Sequence, residues 1–354
     1  MAQPMASKIV IPAAVEKKYN IESEIARGKY GVVFKATSKK TKEEVAVKVM
    51  LKKGNKKDDV EREVQVLKKL THPNILGFHD YEECGAEYVL VMELLHGGEL
   101  FDYLTQKDFL NEGEATDYMK QILEGMAYTH SQKIVHLDLK PENIVLKDRT
   151  AKQLKVIDFG TAQDLSINPK PTVMVGTPEF IAPEVLNLEP CGVEADMWAI
   201  GVVAYVMLTG MSPFLGDNDM ETIQNISAGE YEFPDPCPED GYEDISDLAK
   251  QFIESLLLFQ PKKRLSANDC LSHQWITTMT EETAPKISTA RLRAFRARRK
   301  WMATLRAVRV SMSLLRGLRL LKGAANGHGS TSSNGSCGED DASPQEVFDD
   351  EGKK

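Results

Sequence analysis

Residues 136–143 read His-Leu-Asp-Leu-Lys-Pro-Glu-Asn, and Asp158-Phe159-Gly160 begins fifteen residues after Asn143. On neighbouring loops, the two motifs supply a proton acceptor in Asp138, a cation in Lys140 and metal-ligating groups in Asn143 and Asp158. That set is suited to moving a phosphoryl group from ATP to a hydroxyl. Mg2+ would bridge phosphate oxygens that side-chain charge alone does not satisfy. Asp and Asn also favour turns for plain structural reasons, and His-x-Asp alone recurs by chance. The motifs together, at this spacing, argue for the chemistry. His136 reads as a structural histidine holding the loop.

Outward from this centre, β-branched alternation predicts strands over about 21–25, 32–36, 45–50, 76–81 and 88–93. Helical periodicity over 58–70 puts Val60, Val64, Leu67 and Leu70 on one face. After His96-Gly97-Gly98 the pattern turns helical, over about 99–106, 112–132, 193–210, 217–228, 246–259 and 266–272. The expected architecture is α+β: a small β-rich lobe, then a larger helical lobe closing near Trp275-Ile276. Residues 1–18 read as a flexible lead-in, 19–276 as the two-lobed catalytic domain and 277–322 as a basic regulatory segment, helical from about 286. Residues 323–354, rich in Gly, Ser and Asn and then acidic, read as disordered.

The 354 residues carry a net charge of -9, unevenly spread. Between Arg291 and Lys322 there are eleven Lys and Arg and no Asp or Glu. Elsewhere 33 Lys and Arg stand against 53 Asp and Glu, a balance of -20. Such a segment wants an acidic partner, or an acidic face of its own protein. The five cysteines (Cys84, Cys191, Cys237, Cys270, Cys337) are scattered without Cys-x-x-Cys, which suits free thiols in a reducing compartment. The N-terminus lacks a signal-peptide pattern, and the apolar run near Met197–Leu208 is too short to span a bilayer. A cytoplasmic location is expected.

The remaining site residues come by resemblance to protein kinases. Glu24-Ile25-Ala26-Arg27-Gly28-Lys29-Tyr30-Gly31-Val32-Val33 resembles their Gly-rich loop, whose N–H groups approach ATP phosphates. Ala26 replaces the usual first glycine; Gly28 and Gly31 are kept and Val33 follows. Val45-Ala46-Val47-Lys48 resembles the strand that supplies the phosphate-pairing lysine, although a lysine among β-branched residues is ordinarily a solvated edge residue. Glu63 is its expected partner and Glu61, on a different face, the rival. Residues 88–93 lead to an expected hinge, where backbone groups of Glu93 and Leu95 would meet adenine and Met92 would line the back of the pocket. A core strand and a turn fit that stretch equally well. Glu99 and Glu142 lie where a substrate arginine could pair, or are solvated carboxylates. Glu184 is expected to pair with Arg264, and Asp196 to cap the catalytic loop. Lys-Pro-Glu-Asn with Gly176-Thr177 implies serine/threonine specificity.

Taken together with Gly97-Gly98-Glu99-Leu100-Phe101-Asp102, Gly176-Thr177-Pro178-Glu179-Phe180-Ile181-Ala182-Pro183-Glu184, Glu194-Ala195-Asp196-Met197-Trp198 and Ser212-Pro213-Phe214, the chain resembles the death-associated protein kinases. These are calmodulin-regulated relatives of the myosin light chain kinases. The resemblance runs over about 19–322 and implies a bilobal protein kinase fold, ATP and Mg2+ as cofactors, and basic protein substrates, myosin light chains among the candidates. It also implies a role in cell-death or cytoskeletal signalling. Thr161 stands where the family commonly has Leu. The basic loop Lys52, Lys53, Lys56, Lys57 is short, so the homodimer attributed to this loop stays an open alternative. The ankyrin and death-domain extensions of some members are not expected here, so the chain resembles a short member. Leu137 replaces a common arginine that clasps a phosphorylated activation loop, so activity is expected without that phosphorylation.

Ala297-Arg298-Arg299-Lys300-Trp301 opens an expected calmodulin target, with anchors at Trp301, Leu305, Val308 and Leu314. At about 100° per residue the first three fall within roughly 60° of one another, and Leu314 lies on another side. Two lobes wrapping a helix suit that layout. A membrane-surface helix or a docked surface helix is the plainer reading. Without calmodulin, the segment is expected to block the acidic substrate groove. Thr304, inside the target, is a site whose phosphorylation would weaken the complex. A catalytically dead calmodulin-binding scaffold is disfavoured by Lys48, Asp138, Asn143 and Asp158. A nucleic-acid binder is disfavoured by the acidic body.

Overall fold

The computed structural model describes residues 10–28, 31–150, 152–236, 244–282, 284–302 and 304. Contacts group the chain into two units, residues 1–299 and 300–354. The first unit opens with a short helix, α1 (Ala13–Lys18), followed by β1 (Tyr19–Arg27), β2 (Val32–Ser38) and β3 (Glu44–Leu51). A helix, α2 (Lys57–Lys69), then leads to β4 (Phe78–Cys84) and β5 (Glu87–Glu93). The strands form one antiparallel sheet in the order β1-β2-β3-β5-β4.

Alternation along β3 gives the sheet its two uses. Val45, Val47 and Val49 pack with Val15, Ala36, Val89 and Val91 in a small apolar cluster. Period-two geometry sends Ala46, Lys48 and Met50 to the opposite face. Met50 joins the main core together with Val60, Val64 and Leu67 of α2. A lysine is thereby placed mid-strand on the face that α2 covers. The lead-in expected over 1–18 therefore contains structure: α1 buries Val15 to 1% exposure under the sheet.

The larger lobe is built around helices Glu112–Ser131 and Val193–Thr209. From Ala195 to Thr209 the second is buried all round, the pattern of a central helix rather than a surface one. Asp247–Leu256 packs on the central helix, Ala267–Leu271 and Gln274–Thr278 pack on Glu112–Ser131, and Asp219–Ala228 completes the lobe. The expected boundaries are largely kept. However, Gly98–Glu99 forms a short strand and the helix after it is only Leu100–Leu104. The Glu184–Arg264 pair is formed, bidentate at 2.7 and 2.8 Å, with the guanidinium 5.1 Å from the centre of the Trp198 ring. Removing one partner of such a buried pair costs about 3–5 kcal/mol.

The main correction concerns where the folded body stops. Trp275-Ile276 is not its end. Lys286–Ser288 is a strand rather than helix and pairs with Phe109–Asn111, and Ile287, Leu292 and Phe295 belong to the main core. The helix begins only at 290. Gly210, at φ 69°, ends the central helix in the left-handed conformation, and a Cβ there would stand 2.4 Å from the Leu292 nitrogen. The segment up to 299 is thus seated on the large lobe by apolar contacts that its basic composition concealed. No helix among the described residues is long and apolar enough to cross a membrane.

Candidate active site

Asp196 sets the backbone of the loop that carries Asp138. Its fully buried carboxylate accepts from the His136 and Leu137 N–H groups, at 2.9 Å each, and faces His130 Nε2 at 2.9 Å. Leu137 is held at φ 64°, left-handed backbone that costs about 1–2 kcal/mol for a non-glycine residue. Asp158 on the facing loop is also at φ 64°, a conformation that Asp tolerates better than Leu. His136 holds that loop as expected. Its Nε2 lies 3.1 Å from the Ile157 carbonyl, its Nδ1 accepts from the Asp138 N–H, and its ring meets buried Phe159 edge-on at 4.7 Å.

Between these loops and α2 lies a cavity of about 630 Å3, lined by Lys48, Glu63, Asp138, Lys140, Asp158 and Thr177 among others. Lys48 Nζ reaches Glu63 Oε1 at 2.9 Å, with Glu63 buried. Glu61, the rival, is 3.5 Å from Lys57 on the helix surface. Replacing Glu63 by Gln is expected to lower kcat by about tenfold or more, because a buried charge pair sets the lysine's position. Glu61→Gln should leave kcat within about twofold. Steady-state kinetics on a basic peptide checks both, and equal losses in the two variants would contradict the assignment.

Asp138 and Lys140 form an ion pair, and Thr177 joins them: its hydroxyl donates to Asp138 Oδ1 at 3.0 Å and accepts from Lys140 Nζ at 3.0 Å. This role of Thr177 was not read from the sequence; the signal was Gly176-Thr177 itself, a fixed turn next to a hydroxyl. Asn143 Nδ2 donates to the Asp138 carbonyl at 2.8 Å, so the amide oxygen is the atom left for a cation. The Asp158 side chain is exposed. An amide oxygen and one carboxylate suit Mg2+, which takes one or two protein oxygens and completes its shell with phosphate and water. Among the described residues no group of three or more His, Cys, Asp and Glu could hold a metal. The Asn143 and Asp158 oxygens are a donor set that fits Mg2+.

The rest of the expected nucleotide set lies outside the lining of this cavity: Val33, Ala46, Met92, Glu93 and Leu95 are not among its residues. Val33 pairs with Lys48 across β2 and β3, and Ala46 with Met92 across β3 and β5. The Glu93 N–H, expected among the adenine-facing groups, is donated to the Gly77 carbonyl at 2.9 Å, and its carboxylate meets Lys155 at 2.8 Å. Ala26 is exposed near the end of β1 and pairs with Val33. Gly28 has open space around its missing Cβ, whereas a Cβ on Gly31 would sit 2.3 Å from the Val49 carbonyl oxygen. Gly31 is thus required by packing against β3, whereas Gly28 has no such constraint. Lys29 and Tyr30, between them, lie outside the described residues.

Glu99 and Glu142, half-buried, are paired with arginines of this chain. Arg296, with its side chain 4% exposed, pairs with Glu99, with Asp102 at 2.8 Å and with Glu142 at 3.3 Å. Arg299 holds both oxygens of Glu142, at 2.7 and 3.0 Å, reaches Glu179 at 2.7 Å, and lies over the Phe180 and Phe295 rings at 5.1 and 5.6 Å. Burial, with Asp102 and Glu142 nearby, raises the Glu99 pKa despite Arg296. Burial also acts to raise the Glu142 carboxyl, but there the Arg299 charge and hydrogen bonds prevail and hold it below its usual value. Asp102 and Glu179 were not anticipated, since nothing in their local sequence separates them from surface acids. Arg298 donates to the Gly216 carbonyl at 3.3 Å. Lys300 and Trp301 belong to the second unit, and Leu305, Val308 and Leu314 lie outside the described residues.

A model of the protein kinase domain matches residues 19–276. The chain is 42% identical over 318 residues to death-associated protein kinase 2 of Mus musculus, covering 86% of this chain and 85% of that protein; the Homo sapiens protein gives the same values. It is 43% identical over 312 residues to smooth muscle myosin light chain kinase of Gallus gallus, spanning 86% of this chain but 16% of that protein. Among solved structures, the twitchin kinase region from C. elegans is similar with a TM-score of 0.74 and 34% identity, over 82% of this chain and 51% of that one.

Proposed function

The chain belongs to the protein kinase family, in its death-associated and myosin light chain kinase branch, and on that premise we propose that it is switched on by Ca2+-loaded calmodulin acting on its own basic segment. It is a serine/threonine kinase, and kinases of this family use ATP and Mg2+. The observation that carries the switch is the engagement of Glu99, Asp102, Glu142 and Glu179 by Arg296 and Arg299. Acids positioned to take a substrate's arginines are taken by the protein's own. Arg296 stands just before the expected calmodulin target, which opens at Ala297, and Arg299 lies within it, immediately before Lys300 and Trp301. A partner that captures those anchors competes for the same segment, and the docked and released states exchange population.

In the released state Asp138 orients the acceptor hydroxyl and takes its proton while the oxygen attacks the γ-phosphorus of ATP, whose bond to the β–γ bridging oxygen breaks so that ADP leaves. Thr177 and Lys140 keep the Asp138 carboxylate aimed through hydrogen bonds made before substrate arrives. Lys48, fixed by Glu63, meets the nucleotide phosphates, and Lys140 offsets negative charge on the transferring group. Asn143 and Asp158 would hold the metal, which supplies charge neutralisation to the phosphate oxygens. Leu137 is buried in the core and offers no charge to a phosphorylated loop, which supports activity without that modification. Substrates with arginine upstream of a Ser or Thr, myosin light chain-like sequences among them, match the acidic set. A role in cell-death or cytoskeletal signalling follows from the names of these relatives.

The decisive test is phosphorylation of an arginine-containing peptide by phosphatase-treated full-length protein, with and without Ca2+/calmodulin. Calmodulin is expected to raise the rate by about tenfold or more, since a few kcal/mol of docking energy is at stake. An equal rate in both arms would contradict the switch. Inactivity of the phosphate-free enzyme in both arms, relieved by prior autophosphorylation, would contradict the reading of Leu137.

A further inference from the structure

The small lobe holds a second cavity, of about 540 Å3, that shares no lining residue with the catalytic one. It lies on the other side of the sheet. Val45 of β3 lines it while Lys48, an odd number of residues along the strand, lines the cleft. Its walls carry Lys17 and Lys18 from the last turn of α1, Lys39 and Lys40 from the β2–β3 turn, and His79 from β4. The volume is in the range of specific ligand sites.

Two of the four lysines build the walls. Lys18 pairs with Asp80 at 2.9 Å and with Glu82, which ties α1 to β4. Lys39 donates its Nζ to the Glu16 carbonyl at 2.6 Å and its N–H to the Lys18 carbonyl at 2.8 Å, which ties the turn to α1. The turn itself is closed by Ser38, whose N–H bonds the Glu43 carbonyl at 2.8 Å and whose hydroxyl accepts from the Thr41 N–H at 3.2 Å. Lys17 and Lys40 do none of this work. Neither makes an ion pair among the described residues, although the chain outside 291–322 has acids in excess by 20. Of the acids in the lining, Asp80 is committed to Lys18 and only Glu43 opposes the two ammonium groups.

We propose that this cavity binds a short acidic peptide segment of a partner protein, with carboxylates meeting Lys17 and Lys40 and His79 on the far wall. The rim, fixed by its own hydrogen bonds, loses little freedom when a ligand enters. The flanking Glu16, Glu43, Asp80 and Glu82 confine the positive region to one concavity. A nucleic acid or an anionic membrane needs a broad basic surface and would meet those carboxylates. A segment of two or three acidic residues needs only this concavity, where Asp80 is already paired with Lys18 and Glu43 is the one remaining lining acid. The site is separate from the calmodulin switch and does not rest on it.

The test uses the full-length chain and an octapeptide of alternating Asp and Glu with a photoreactive group at its centre, the cross-linked positions being mapped by mass spectrometry. A site-resolved readout is needed because residues 291–322 will also attract the probe. Labelling is expected on residues 17–19, 38–41 and 79–80, falling at least tenfold between about 0.02 and 0.2 M salt. The double variant Lys17→Glu/Lys40→Glu should lose that labelling by about tenfold or more, reversal of two charge contacts. It should keep the label on 291–322 and wild-type turnover of a peptide substrate, since both lysines are exposed and remote from the cleft. Label confined to 291–322, or cavity label that persists in the double variant, would overturn the proposal. So would a DNA oligonucleotide bearing the same group that marks these residues equally well.

Discussion

Asp138→Asn is expected to lower kcat by about 10²–10⁴-fold while leaving nucleotide affinity near that of the wild type, the range a positioned proton acceptor supplies. The substitution keeps the shape and a hydrogen-bonding oxygen for Thr177, whose hydroxyl now lies 3.0 Å from Oδ1. It removes the charge that takes the hydroxyl proton and that pairs with Lys140. Asp158→Ala should lose at least as much and weaken nucleotide binding as well, because the exposed carboxylate that would hold the metal is gone. Several kcal/mol of charge stabilisation go with it, and each 1.4 kcal/mol is about a factor of ten in rate. Stopped assays on an arginine-containing peptide give kcat, and a fluorescent nucleotide titrated into each variant separates chemistry from binding. The segment bearing Arg296 and Arg299 must be released by calmodulin in both assays, or the docked state will mask the difference. An Asp138→Asn enzyme within about tenfold of wild type would remove Asp138 from the proposed role.

The charge-reversed variant Arg296→Glu/Arg299→Glu should be active without Ca2+, approaching the calmodulin-stimulated rate of the wild type. Arg296 and Arg299 are 4% and 13% exposed and together engage four carboxylates. Breaking a desolvated, hydrogen-bonded charge pair costs about 2–5 kcal/mol. Reversal also sets glutamates against Glu99, Asp102, Glu142 and Glu179. A shift of even about 3 kcal/mol changes the docked-to-released ratio by roughly 10²-fold. Substitution of these two side chains is a sharper experiment than truncation. A chain cut before Ala290 would also lose Leu292 and Phe295, which fill the core of the large lobe. Measured in chelator, a double variant that stays silent yet responds to calmodulin would show that the inhibitory contact lies elsewhere.

Much of this site was legible in the chain. Asp138, Lys140, Asn143 and Asp158 fall within 21 residues on two loops, and their backbone is fixed by neighbours close in sequence. Asp138 N–H donates to His136 Nδ1 two residues away, and Asn143 Nδ2 to the Asp138 carbonyl five away. The choice of Glu63 over Glu61 was also legible, because a helix beside a strand presents only one of two residues spaced i and i+2. The end of the folded body was not. Composition marked 291–322 as a basic segment that seeks acidic groups, yet Leu292 and Phe295 within it are buried at 2% and 6% exposure in the apolar core. Long basic side chains around two apolar residues read as a charged stretch until the surface beneath them is known.

The sequence by itself determined the lobes, the catalytic loops and the lysine strand, since each depends on periodicity or on turns that a few adjacent residues impose. Only the tertiary structure decided what those acids hold. Arg296 meets Glu99 across 197 positions, Arg299 meets Glu179 across 120, and Thr177 meets Asp138 across 39. No local rule links such pairs. They exist because the central helix, the strand pairing of 286–288 with 109–111 and the apolar seat of Phe295 bring distant charges into a shared, poorly hydrated space. In that space opposite charges bind strongly enough to select partners.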